Sequence, residues 1–147
     1  MTSEDANRLY ELIKFIREKH IMFPDINQKG EYHVDSLTSK DSFIFNVARG
    51  GRIKPNKCTY QIRTSDNSIL FRIDLDGPAH PNPNGVDIQC PHLHVYKYDD
   101  DNYFENWAYP LLDKLPTNPE DLVQVFLDFL VFNKVQNSPI IETRMEF

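Results

Sequence analysis

The fold is decided by residues 58–75, CTYQIRTSDNSILFRIDL, which predict two short strands joined by a tight turn. Apolar and polar residues alternate on both sides of the turn, where Ser, Asp and Asn are typical residues. With the Asp-Asn pair at the tip of a two-residue loop, Ile62 lies opposite Phe71 and Tyr60 lies opposite Ile73. A slip of one residue would mix the two faces, so the pattern specifies the register.

The predicted hairpin has one apolar face and one polar face. The apolar face carries Cys58, Tyr60, Ile62, Ile69, Phe71, Ile73 and Leu75. The polar face carries Thr59, Gln61, Arg63, Arg72 and Asp74. We expect the apolar face to lie on the core and the polar face to stay partly open, which is where a site would form.

Other elements are predicted on both sides of this hairpin. Helices are expected at about Ser3–His20 and Pro119–Val135, because apolar residues recur there at helical spacing. Further strands are expected at Tyr32–Leu37, Ser42–Arg49, Pro91–Tyr98 and, at the end of the chain, Ile140–Met145. The region from Tyr103 to Leu115 is predicted to be irregular. The prediction is an α+β fold: an antiparallel sheet of about five strands, flanked on one face by an N-terminal and a C-terminal helix.

Composition limits the class of protein. With 147 residues, 40% hydrophobic and 26% charged, residues 1–147 are expected to form a single soluble domain. The net charge of −6 works against general attraction to nucleic acid, although a local basic groove remains compatible with it. No apolar run is long enough to span a membrane and no signal peptide is recognisable, so we expect a cytoplasmic protein. Cys58 and Cys90 are expected to be free thiols.

Three of the five histidines are concentrated in a short stretch: His80 in GPAHPNP (77–83), then His92 and His94 in CPHLHVY (90–96). Residues two apart on a strand point to the same face, so His92 and His94 are expected to project together. If their strand joins the hairpin's sheet, that face also carries Arg63, Arg72 and Asp74.

This set of residues suits acid–base chemistry on a phosphodiester, for which RNA is the natural substrate. In this hypothesis His92 and His94 transfer protons, and Arg72 and Arg63 bind the phosphate. Asp74 orients a histidine, and His80 completes the site from its loop. The chemistry needs no metal and no cofactor, and neither is predicted.

Other interpretations stay open. A metal-dependent hydrolase would use His80, His92 and His94 as ligands, or two of these imidazoles with Asp74. A non-catalytic interaction protein from a phage or mobile element would inhibit a host factor, through the aromatic residues after the histidines or through the acidic run 99–101. In the plainest interpretation, the histidines are hydrogen-bonded for structure alone.

Four spaced motifs resemble a known pattern: RID at 72–74, HPNP at 80–83, PHLH at 91–94 and WAYP at 107–110. They resemble a family of small, largely uncharacterised proteins from bacteria and their phages, over about Tyr60 to Leu111. The same order of residues is more distantly similar to the TumE-type toxins of toxin–antitoxin systems. That resemblance implies a growth-inhibiting toxin that acts on RNA and is neutralised by a partner antitoxin; a host protein is the partner only in the non-catalytic interpretation. The site that it implies consists of Arg72, Asp74, His80, His92 and His94.

Overall fold

The computed structural model describes residues 1–98 and 104–144. The elements begin with α1 (Ser3–Glu11), β1 (Lys14–Ile16), β2 (His20–Met22), β3 (Lys29–Ser36), β4 (Ser42–Arg49), β5 (Cys58–Thr64) and β6 (Ile69–Asp74). They continue with β7 (His80–Pro81), β8 (Asp87–Ile88), β9 (His92–Tyr98), β10 (Phe104–Pro110), α2 (Leu111–Lys114), α3 (Leu122–Phe132) and β11 (Ile140–Glu142). The acidic run 99–101 and the end of the last predicted strand at Met145 lie outside the described residues.

Seven strands form the main sheet, in the order β1-β3-β4-β5-β6-β9-β10, and every neighbouring pair is antiparallel. Two small sheets accompany it, β7 with β8 and β2 with β11. The α+β class and the antiparallel sheet are confirmed, with seven strands in place of about five. In the hairpin of β5 and β6, Ile62 lies opposite Phe71 and Tyr60 opposite Ile73, as the alternation predicts.

The turn of this hairpin differs from the prediction by one residue. The Thr64 N–H donates to the Ser68 carbonyl, so three residues form the loop, and Asn67 adopts a left-handed φ of 71°. Further along the hairpin, a bulge shifts the register between Ile62 and Arg63, so that Arg63 lies opposite Ile69. The extra residue, Leu70, turns into the core and is 1% exposed, while Ile69 is only partly buried.

Both long helices cover the same face of the sheet. Phe129 of α3 meets Phe45 edge to face, with ring centroids 5.5 Å apart. Phe71 contacts both Phe132 of α3 and Tyr10 of α1, at centroid distances of 5.0 and 4.8 Å. The packing of these aromatic side chains contributes to the stability of this side of the sheet. The opposite face of the sheet has no helix on it in the described residues and carries the polar side chains.

The predicted N-terminal helix is too long. It ends at Glu11, and Leu12 is already extended, with ψ of 136°. Two strands, β1 and β2, replace the rest of it. The reason is tertiary: β1 pairs with the edge of β3, and Lys14 is also hydrogen-bonded to the backbone of Lys134 and Gln136. This pairing satisfies an edge that a continued helix would leave open.

The segment expected to be irregular, Tyr103–Leu115, is also different. From Phe104 it forms β10, which pairs with β9 along its whole length, and the short helix α2 follows. The C-terminal helix is shorter than predicted, and Asp121 caps it by accepting from Gln124 N–H at 3.0 Å. The tail strand β11 pairs with β2 in parallel.

Candidate functional site

A cavity of about 310 Å³ opens on the polar face of the sheet, between β6, β9 and the loop that carries β7. Its wall includes Lys57, Arg72, Asp74, His80, His92 and His94. Five of the six residues predicted for the site therefore line one cavity. The sixth, Arg63, does not.

Strand pairing explains how four of these side chains meet. β9 lies beside β6, with His94 opposite Arg72 and His92 opposite Asp74. Directly opposite residues of antiparallel strands point to the same face of the sheet. The pairing of β6 with β9 therefore brings an arginine, a carboxylate and two imidazoles together on that face. The alternation of side chains along the strand predicted that the histidines lie on the polar face of the sheet, and they do.

Asp74 is the centre of this group. Its Oδ2 lies 2.8 Å from His94 Nε2, 3.0 Å from Arg72 Nη2 and 3.3 Å from His92 Nε2. Its Oδ1 accepts from the Thr59 hydroxyl at 3.1 Å. Burial pushes the pKa of Asp74 up, but hydrogen bonding with the two imidazoles and the charge of Arg72 outweigh it and hold the pKa well below its usual range. The carboxylate is therefore ionised.

The two strand histidines are held from their other side as well. His92 Nδ1 lies 3.0 Å from the Ile88 carbonyl, and His94 Nδ1 lies 2.8 Å from Asn106 Oδ1. The residues are only 2% and 1% exposed. Both nitrogens of each ring thus have a protein neighbour, so neither histidine offers an unoccupied nitrogen to a substrate.

His80 differs from them in this respect. Its Nε2 donates to the Asn106 carbonyl at 3.0 Å, and its ring lies edge to face with His94 at a centroid distance of 4.8 Å. Among the residues that the structure describes, no hydrogen bond engages His80 Nδ1. His80 is only partly buried, so this nitrogen is the one most suited to proton transfer in the cavity.

Asn82 keeps the His80 loop in place. Its Nδ2 donates to the Ala108 carbonyl at 2.9 Å, and its Oδ1 accepts from Ala108 N–H at 2.7 Å. The side chain thus takes the place of a neighbouring strand for one residue of the sheet edge. Sequence reasoning did not identify Asn82 or Asn106 as part of the site. HPNP at 80–83 was a signal for Asn82, whereas Asn106 lies on a strand that was not predicted.

Arg63 lies outside the cavity. It is opposite Ile69 across the bulge, near the hairpin turn. Its guanidinium donates to Asn46 Oδ1 and Glu31 Oε1, both at 3.0 Å, and to Asn67 Oδ1. These contacts occupy the donors that phosphate binding would need.

Cys90 is a cavity residue that was not predicted for the site. Its Sγ lies 3.7 Å from both ring nitrogens of His92. Burial raises the pKa of the Cys90 thiol, and the negative charges of Asp74 and Asp76 raise it further. The thiol is therefore poorly ionised, which is unlike the activated thiolate of a cysteine nucleophile.

One group of metal-ligating atoms stands out in residues 1–98 and 104–144. Asp74, His92 and His94 each offer one such atom, and the three lie within 4.8 Å of one another. His80 is not a member of this group, so the ligand set differs from the three imidazoles considered first. Two imidazoles and a carboxylate are ligands suited to divalent transition metals.

Fold and site together define an α+β protein whose open sheet face carries a histidine–carboxylate–arginine pocket. The model of a family of unknown function, DUF6978, matches residues 1–135, and the chain belongs to this family. The expectation of an uncharacterised family is therefore confirmed. No curated protein and no solved structure matches the chain. In the described part of the chain, no helix has the length and apolar character needed to cross a membrane.

Proposed function

We propose that this protein is a growth-inhibiting, toxin-like enzyme that cleaves RNA in the cavity of the sheet face and is neutralised by a partner antitoxin. The observation that carries the proposal is the pairing, in one cavity, of a guanidinium with an imidazole that has an unoccupied nitrogen. These are the two groups that metal-free phosphodiester cleavage needs first: one for the phosphate charge and one for the proton.

Arg72 supplies the phosphate contact. Its Nη2 and Nε face Asp74, at 3.0 and 3.3 Å, which fixes the guanidinium plane. No hydrogen bond within the described residues engages Nη1, and the side chain is 30% exposed. A phosphate oxygen can therefore bind to Nη1 while Asp74 still orients the group. Lys57 adds a second positive charge to the same wall.

His80 supplies the proton transfer, which moves the predicted role from the strand histidines to the loop histidine. Its Nδ1 accepts the proton of the ribose 2′-hydroxyl as that oxygen bonds to phosphorus. The bond from phosphorus to the 5′-oxygen then breaks, and water protonates the leaving 5′-oxygen. The products are a 2′,3′-cyclic phosphate and a free 5′-hydroxyl. His92 and His94 act as positioning residues, because they hold Asp74 and hence Arg72.

The order of the motifs also supports this proposal. The RID, HPNP and PHLH motifs supply Arg72 and Asp74, His80, and the two strand histidines, the same residues that the similarity to TumE-type toxins implies for a site. A toxin of that kind requires a partner that blocks it, and the open sheet face around the cavity is where an antitoxin would exclude RNA.

The experiment is induction of the full chain in a bacterial host, comparing wild type, His80→Ala and the matched control His20→Ala. His20 is exposed on β2 and does not line the cavity. We expect growth arrest from wild type and His20→Ala and normal growth with His80→Ala. Purified wild type should cut a short RNA but not the same sequence as DNA, which lacks the nucleophilic 2′-hydroxyl. Circular dichroism should show that all three proteins are folded.

Equal arrest from wild type and a folded His80→Ala would contradict the mechanism. Arrest without RNA cleavage would favour the second function class, a non-catalytic protein that inhibits a host factor by binding it.

A further inference from the structure

The group formed by Asp74, His92 and His94 has a property that the proposed reaction does not use. Both imidazoles direct Nδ1 away from the carboxylate, onto groups outside the cluster, and direct Nε2 towards Asp74 Oδ2. Histidines that bind metals are commonly held in this way, with one nitrogen free for the ion and the other fixed by a carbonyl or carboxylate.

The Nδ1 partners of the two rings lie outside the cluster. His92 Nδ1 donates to the Ile88 carbonyl at 3.0 Å, and His94 Nδ1 lies 2.8 Å from Asn106 Oδ1. Each Nε2 faces the carboxylate instead, at 3.3 Å for His92 and 2.8 Å for His94. Both rings thus present Nε2, the nitrogen that would bind an ion, to the same oxygen of Asp74.

Three possible ligand atoms therefore converge: the two Nε2 atoms and Asp74 Oδ2, all within 4.8 Å of one another. Arg72 Nη2 is the cationic group beside them, 3.0 Å from Asp74 Oδ2 and 3.2 Å from His94 Nε2. His92 and His94 are 2% and 1% exposed, so the protein around them fixes this arrangement before any ion binds.

We infer that Asp74, His92 and His94 form a binding site for a divalent transition metal of the zinc class, and that Arg72 occupies the cation position when the metal is absent. Imidazole favours zinc, cobalt and nickel over the hard ions magnesium and calcium. Three protein ligands leave a coordination position for water or for a phosphate oxygen. Metal entry would release Arg72 from the cluster towards the cavity.

This inference goes beyond the proposed function and is tested without RNA. The full chain is freed of metal with a chelator, and zinc binding is measured by calorimetry, with magnesium as the comparison ion. Cobalt binding, followed by visible absorption, reports the ligands directly. We expect one zinc per chain, no competition from magnesium, and the same affinity in the control His20→Ala.

Variants of the cluster give effects of opposite sign. His92→Ala and His94→Ala should each weaken zinc binding at least about 100-fold, and Asn106→Ala, which removes only the support of His94, about 10- to 100-fold. Arg72→Met should bind zinc about tenfold more tightly, because the competing guanidinium is gone. A merely structural histidine cluster would not give that increase.

Several results would overturn the inference. They are no zinc binding by wild type, wild-type affinity in folded His92→Ala or His94→Ala, and unchanged or weaker binding in Arg72→Met. If the histidine variants fail to fold, the zinc affinity of Arg72→Met still tests the inference, because this variant keeps all three ligands. RNA cleavage and zinc binding are measured separately, so the two proposals can fail independently. Zinc binding without RNA cleavage by wild type would contradict the proposed function alone, and RNA cleavage without zinc binding would contradict the metal site alone.

Discussion

Replacing Asn82 by Ala should both destabilise the protein and displace His80. Asn82 is 8% exposed and Ala108 is 1% exposed, so water does not readily replace the two hydrogen bonds between them. A buried hydrogen bond contributes about 1 kcal/mol net, and a buried backbone group left unpaired costs about 1–3 kcal/mol. Two bonds and two orphaned groups on Ala108 give an expected loss of roughly 2–4 kcal/mol in the free energy of unfolding.

The assay is urea unfolding, where a loss of this size lowers the midpoint by roughly 1–2 M for a chain of this length. Asn84→Ala is the matched control, since Asn84 is in the same loop but exposed, and its side chain accepts from Val86 N–H at 3.1 Å. It should stay within about 0.5 kcal/mol of wild type. RNA cleavage should fall with Asn82→Ala and persist with Asn84→Ala. Equal midpoints for the two variants would refute the assignment of Asn82 as the anchor of the His80 loop.

Two further predictions concern charged residues. Burial, with the nearby charge of Lys134, lowers the pKa of Lys14 to about 8 from 10.5, so the unfolded chain binds this proton more strongly than the folded protein does. Stability should therefore rise with pH, by about 2 kcal/mol from pH 7 to about pH 9.5, relative to Lys14→Met, and parallel curves in urea unfolding would contradict this. Arg72→Ala should lower RNA cleavage by about 100-fold, whereas Arg63→Ala should keep it within about twofold, measured per folded molecule. Similar losses in both would place Arg63 in the site after all.

The alternation of apolar and polar residues along the strands predicted most of the hairpin side chains that face the core. The register of Ile62 with Phe71 was predicted from the two faces and a two-residue loop, and it is observed because the bulge at Leu70 offsets the third loop residue. Helical spacing was misleading at the N-terminus, because apolar residues at positions 12, 13 and 16 fit a helix and a pair of short strands equally well. Pairing with β3 decides between them, and this contact is not visible in the local sequence.

Part of the site was also predictable from alternation along strands. Alternation placed His92 and His94 on the face of Arg72 and Asp74, and the pairing of β6 with β9 then brings the four side chains together. Alternation also placed Arg63 on that face, but it does not predict how far Arg63 lies from the histidines. The bulge lies between Arg63 and the cavity. The partner of His94, Asn106, required knowledge of β10, whose pairing is set by β9 rather than by its own pattern.

The cost of the cluster argues that its role is more than structural. Burying ionised groups is expensive, and apolar side chains of similar size in place of a buried ion pair are often neutral or stabilising. Two imidazoles at 2% and 1% exposure, both directed at one carboxylate, are thus a poor way to hold two strands together. The loop of β7 and β8 then adds a third histidine beside them, anchored by Asn82 through a buried pair of hydrogen bonds. A fold that needed only stability would need neither the buried cluster nor the anchored His80, whereas a fold that prepares an ion site and a proton acceptor around one cavity needs both.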